Sequence, residues 1–75
     1  MHSIHDPRYR AIIQRLIILR ESKDVTQVEL AMSLKKPQSY VSKTETYERR
    51  LDIIELQDWL TALDTDICSF LGNIK

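Results

Sequence analysis

The chain has little of what disulfide-stapled, turn-rich or membrane-embedded proteins are built from. Its 75 residues include 1 glycine, 2 prolines and 1 cysteine, and aromatic residues make up only 7%. Scarce glycine and proline argue against a turn-rich all-β fold. A lone cysteine, Cys68, excludes an intramolecular disulfide and a cysteine-rich zinc site, and it reads as a small core residue. The longest apolar run is the four residues Leu16, Ile17, Ile18 and Leu19. A bilayer span needs about 20, so no membrane segment is expected. No basic stretch followed by an apolar one opens the chain, so no secretion signal is expected and the cytoplasm is the expected compartment. The length is about half that of a typical 150-residue domain, which excludes barrel and doubly wound enzymes. One domain is expected over 1–75, with its core over about 7–74.

Net charge is also missing: 11 basic residues balance 11 acidic ones. That argues against a protein that coats nucleic acid indiscriminately. The balance is uneven along the chain, however. Residues 1–50 hold 10 basic and 6 acidic residues, and residues 51–75 hold 1 basic and 5 acidic. The first part is suited to meet an anion.

What is present is helical periodicity. Asp6 followed by Pro7 reads as an N-cap and first helical residue. Tyr9, Ile12, Ile13, Leu16, Leu19 and Arg20 then recur at spacings of three and four, which predicts a first helix over 7–22. Thr26-Gln27-Val28-Glu29 is a capping box opening a short second helix with Val28, Leu30, Ala31 and Leu34 as its apolar positions. Lys35-Lys36-Pro37 ends it, and a polar third helix is expected over about 37–46, burying little of itself. Asp52 and Glu55 repeat the capping logic before Leu56, Trp59, Leu60 and Leu63. Asp64-Thr65-Asp66 interrupts the chain before a fifth helix carrying Ile67, Cys68, Phe70, Leu71 and Ile74. No repeat, low-complexity tract or linker is evident.

Two short helices joined by a tight turn, the second polar, form the geometry that offers side chains to a major groove. In this chain the unit is Thr26 to Thr46. Thr26-Gln27-x-Glu29-Leu30-Ala31, Pro37-Gln38-Ser39-Tyr40-Val41-Ser42-Lys43, Glu45 and Glu48-Arg49-Arg50-Leu51-Asp52 together resemble the lambda-repressor-like helix-turn-helix regulators of the xenobiotic-response-element (XRE) family, over roughly residues 9 to 71. The resemblance implies an all-α, compact five-helix DNA-binding domain with the helix-turn-helix in helices 2 and 3.

It also implies roles for single residues. Gln38, Ser39, Ser42 and Lys43 match the base-reading face. Gln can pair with adenine N6 and N7, and Lys can donate to guanine O6 and N7. Gln27 matches a phosphate-contacting glutamine at a helix N-terminus. Tyr40, Arg49 and Arg50 resemble backbone anchors beside that face. Lys36 reads equally as a phosphate contact or as solvated turn, like its neighbour Lys35. Arg20 and Glu45 match an enclosed ion pair that orients the recognition helix. The family's usual glycines correspond here to Asp24, Lys35, Tyr47 and Asp64, and Thr44 stands where an aliphatic residue is usual. Trp59 and Phe70 read as core or dimer contacts rather than base-stacking platforms.

The function expected is sequence-specific double-stranded DNA binding by a transcriptional regulator. A repressor acting as a homodimer is the simplest form, because one unit makes too small an interface for operator-grade affinity. Phe70, Leu71 and Ile74 are the candidate dimer surface. Ending there, the chain is expected to carry no separate ligand-binding or self-cleaving domain. The rival expectation is a protein-interaction module or antitoxin whose acidic residues 51–75 engage a basic partner. No cofactor or metal is expected. His2 and His5 lack further ligands beyond Asp6 and read as a frayed terminus, and no catalytic grouping marks the chain as an enzyme.

Overall fold

A computed structural model describes residues 3–72. A 3-10 turn, Ser3–His5, precedes five α-helices: α1, Pro7–Ser22; α2, Gln27–Leu34; α3, Gln38–Glu45; α4, Ile53–Ala62; and α5, Ile67–Gly72. His5 closes the 3-10 turn before α1; His2 lies outside the described residues.

Apart from α3, the helices begin where a side chain satisfies an orphan amide. Asp6 accepts from the Arg8 N–H at 2.8 Å, and Pro7 occupies a position where a missing N–H costs nothing. Arg8 holds the Asp6 carboxyl well down, at about 2, mainly through its side-chain and backbone hydrogen bonds. Both capping boxes are closed. Thr26 Oγ1 accepts from Glu29 N at 3.1 Å while Glu29 accepts from Thr26 N at 2.9 Å. Asp52 and Glu55 exchange the equivalent bonds at 2.8 and 3.0 Å. Asp66 accepts from Ser69 N at 2.7 Å at the start of α5.

The turns rest on four left-handed residues with φ of 58° at Asp24, 58° at Lys35, 64° at Tyr47 and 57° at Asp64. These are the four positions aligned with family glycines. Aspartate tolerates this region, whereas a lysine or tyrosine there costs about 1–2 kcal/mol. The chain keeps the backbone and bears the strain.

Ile13 and Leu16 of α1, Leu30 and Ala31 of α2, Val41 of α3, Leu51, the α4 stripe Leu56, Trp59 and Leu60, then Leu63 and Phe70 form one continuous buried cluster. Leu16, Val41 and Trp59 are fully enclosed, with 0% exposure. Tyr9 ties the first helix to the loop after α3 by accepting a hydrogen bond from Leu51 N at 3.0 Å.

Several expectations need correction. The third helix begins one residue later than expected, because Pro37, with φ −67° and ψ 155°, is extended and caps rather than enters it. That helix also buries Thr44 and Glu45 beside Val41, more than its polar composition suggested. Val28 faces outward. Cys68 is exposed rather than in the core, because α5 turns Phe70 inward with Ile67 packed partly buried beside it. For the same reason Phe70 is not a dimer-surface side chain: only 6% exposed, it is spent on its own core. Leu71 remains exposed, and Ile74 lies outside the described residues.

Candidate nucleic-acid interface

The outward face of α3 follows from its register. Val41, Thr44 and Glu45 point into the molecule, which turns Gln38, Ser39 and Lys43 to solvent with Ser42 half-exposed at their edge. Positions 38, 39, 42 and 43 therefore share one side of the helix. The start of this helix differs from those of α2 and α4. Pro37 supplies no side-chain cap: its carbonyl accepts from Tyr40 N at 3.0 Å, while no capping side chain covers the amides of Gln38 and Ser39.

Glu45 fixes the rotation of α3 about its axis. Arg20 Nε donates to Glu45 Oε2 at 2.7 Å and Arg20 Nη2 to Oε1 at 2.9 Å, a two-pronged pair with side-chain exposures of 9% and 5%. The third arm of the guanidinium, Nη1, donates to the Val25 carbonyl at 2.7 Å. Gln27 joins this network, its Nε2 donating to Glu45 Oε1 at 2.8 Å. One amide hydrogen of Gln27 is thus committed within the protein; the amide carries a second donor. The arrangement locks α1, the start of α2 and the end of α3 together behind the exposed face.

A second cluster buttresses the other side of α3. The Trp59 indole N–H donates to Tyr40 Oη at 3.2 Å, and the Tyr40 hydroxyl donates to Glu55 Oε2 at 3.3 Å. Burial pushes the Tyr40 hydroxyl above its ordinary value, more than the Trp59 bond lowers it, so it stays a donor at neutral pH. Arg49 Nη2 donates to the same Glu55 oxygen at 2.9 Å, and the Arg49 guanidinium stands 4.5 Å from the Tyr40 ring centre. Lys36 Nζ approaches the same ring at 5.4 Å. Burial pushes the Glu55 carboxyl up, but the Asp52 N–H and the Arg49 charge outweigh it and hold the group below its ordinary value. Three of the phosphate-contact candidates, Lys36, Tyr40 and Arg49, therefore converge on one patch between α3 and α4. Arg50, next in sequence to Arg49, is exposed. Thr44 is buried, its hydroxyl donating to the Tyr40 carbonyl at 2.8 Å, so the usual aliphatic is replaced without an orphaned polar group.

Sequence reasoning did not single out the Glu55–Trp59 support, because residues 15 and 19 positions beyond Tyr40 meet it only in three dimensions. It also missed Arg10, whose guanidinium lies 4.4 Å from the Tyr47 ring centre. The available signal was a large aromatic where the family has glycine.

This geometry agrees with comparison to known proteins. A helix-turn-helix family model matches residues 16–70, which take in both buttressing clusters and the whole of α2 and α3. An XRE-family like protein from Pseudomonas syringae pv. tomato str. DC3000 has a similar solved structure, with a TM-score of 0.86 and 46% sequence identity over 93% of this chain and 85% of that one. No curated protein of described function matches significantly. From the residues matched and the fold they build, the chain belongs to the XRE-like helix-turn-helix family, whose type is the DNA-binding regulator.

Proposed function

We propose that this protein acts by binding rather than catalysis, as a sequence-specific repressor in the cytoplasm that occupies a short operator as a homodimer. The observation that carries the reading is the exposed polar face of α3, with Gln38, Ser39, Ser42 and Lys43 on one side and its opposite side clamped by Glu45. An α-helix held this way can enter a major groove without rearrangement. The N-terminus of α3, without a side-chain cap, and the cations Lys36 and Arg49, the latter shared with Glu55, flank that face, with exposed Arg50 next in sequence, and suit the phosphate backbone. Dimerisation is supported by exposed Ile18, which lines a groove between α1 and α5 with Leu19, and by exposed Leu71 of α5. Two such units would read half-sites about 34 Å apart.

The test is positional. A preferred duplex is selected from a random pool, and Gln38→Ala and Lys43→Ala are then profiled against every single-base variant of it. Each is expected to lose about 1–3 kcal/mol of discrimination at its own operator position. Lys36→Ala is expected instead to weaken all duplexes equally. Uniform weakening by Gln38→Ala and Lys43→Ala would remove α3 from the groove.

A further inference from the structure

We propose that Tyr47 is a platform holding Arg10 of α1 at the edge of the DNA-binding face, making Arg10 an additional phosphate contact. The inference rests on the duplex-binding reading above.

Tyr47 sits at φ 64°, a conformation that glycine enters without a steric clash and tyrosine does not. A turn alone would be served better by glycine, and unlike Lys35, whose surface strain has no such offset, Tyr47 makes side-chain contacts with α1. Its hydroxyl donates to Gln14 Oε1 at 3.2 Å, and its ring lies under the Arg10 guanidinium. Arg10 and Gln14 are one helical turn apart on α1, and Tyr47 engages both. Arg10 Nε also donates to the Ile4 carbonyl at 3.1 Å. One face and the Nε edge of the guanidinium are thus occupied, which directs its terminal amino groups outward.

The kind of partner matters. Arg8, Arg20 and Arg49 are each paired with a carboxylate, of Asp6, Glu45 and Glu55 respectively. Arg10 is held by an aromatic face and a carbonyl, which fix its position and leave its charge uncancelled. The location fits an anion on the duplex. Tyr47 follows α3 directly, its N–H bonded to the Thr44 carbonyl at 3.2 Å. The next two amides, Glu48 and Arg49, both donate to the carbonyl of Lys43, at 2.8 and 3.2 Å. These bonds cap the C-terminal end of α3, where Lys43 sits on the exposed face, so the loop leaves the helix there and holds Tyr47 and Arg10 beside that end. A phosphate flanking the groove is the anion within the chemistry of this position.

The experiment measures affinity of the full chain for its selected duplex and for a scrambled one across a salt series, with thermal unfolding in parallel. Arg10→Gln is expected to weaken both duplexes alike and to reduce the salt slope by about 0.9 per protomer. Between 50 and 200 mM salt this corresponds to about threefold less loss of affinity per protomer than in the unmodified protein. Tyr47→Gly is expected to raise the melting temperature and yet reproduce the reduced slope, and Tyr47→Phe, which retains the ring, to restore the full slope. Adding Arg10→Gln to Tyr47→Gly is expected to change the slope no further. An unchanged slope in Arg10→Gln, or a Tyr47→Gly variant both more stable and fully salt-sensitive, would overturn the inference while leaving duplex binding intact. Absence of salt-dependent binding by the unmodified protein would overturn the duplex reading itself and the inference with it.

Discussion

Truncating Glu45 to alanine should damage this protein more than its single lost ion pair suggests. The carboxylate accepts three hydrogen bonds, two from Arg20 and one from Gln27, in a place where the arginine and glutamate side chains are 9% and 5% exposed. Without it Arg20 keeps only its bond to the Val25 carbonyl, and a guanidinium stays enclosed with no counter-charge. Breaking an enclosed pair from one side costs about 3–5 kcal/mol, because the surviving charge remains desolvated. A chain of this length has roughly 4–11 kcal/mol of total stability at about 0.05–0.15 kcal/mol per residue. The variant should therefore lose at least about 12 °C of melting temperature, at about 4–8 °C per kcal/mol for a small domain. Thermal unfolding followed by far-ultraviolet circular dichroism measures the loss. The double variant Arg20→Met/Glu45→Leu separates causes: with no charge left inside, it should recover most of the stability. A Glu45→Ala protein within about 1 kcal/mol of the parent, the range of an exposed pair, would refute the reasoning. So would a double variant as unstable as the single one.

Three further outcomes follow from the same structure. Lys35→Gly relieves a left-handed lysine at φ 58° on the surface and should raise stability by about 0.5–1 kcal/mol, since the relief of about 1–2 kcal/mol is partly offset by glycine's freer unfolded chain; a lower melting temperature would contradict this. Leu16→Ala empties a fully enclosed site in the core and should cost about 2–5 kcal/mol by denaturant titration, whereas a loss below about 1 kcal/mol would mean the site collapses around the gap. Acid should destabilise the fold in a definite window. Asp6 and Glu55 both have carboxyls held below their ordinary values, so their contributions are complete above those values, 3.8 and 4.5, and fade as pH falls below them, for Asp6 through about 2. Melting temperatures recorded against pH should fall in that range, and Glu55→Gln should remove part of the fall.

The helices were legible because each carries local chemistry: an Asp-Pro start, two capping boxes and apolar positions at helical spacing. The left-handed turns at Asp24, Lys35, Tyr47 and Asp64 were readable only by resemblance, since nothing in a lysine or tyrosine advertises positive φ. The joining of Arg20 to Glu45 across 25 positions likewise came from the resemblance and not from spacing. Periodicity erred where elements are short. In the six residues of α5 the inward side carries Phe70 with Ile67, three positions earlier, partly buried beside it, and Cys68 falls on the outward side. The convergence of Tyr40, Arg49, Glu55 and Trp59 was out of reach, because it depends on long side chains that bridge α3, the following loop and α4 in three dimensions.

Selection of a preferred duplex from a random pool, followed by affinity measurements on that duplex and a scrambled one at two salt concentrations, tests the central claim most directly. The account predicts an enriched two-fold-symmetric motif bound at least about 10³ times more tightly than the scrambled sequence, with affinity falling steeply as salt rises. Equal, weak binding to every duplex would contradict it and leave the exposed face of α3 to a protein partner.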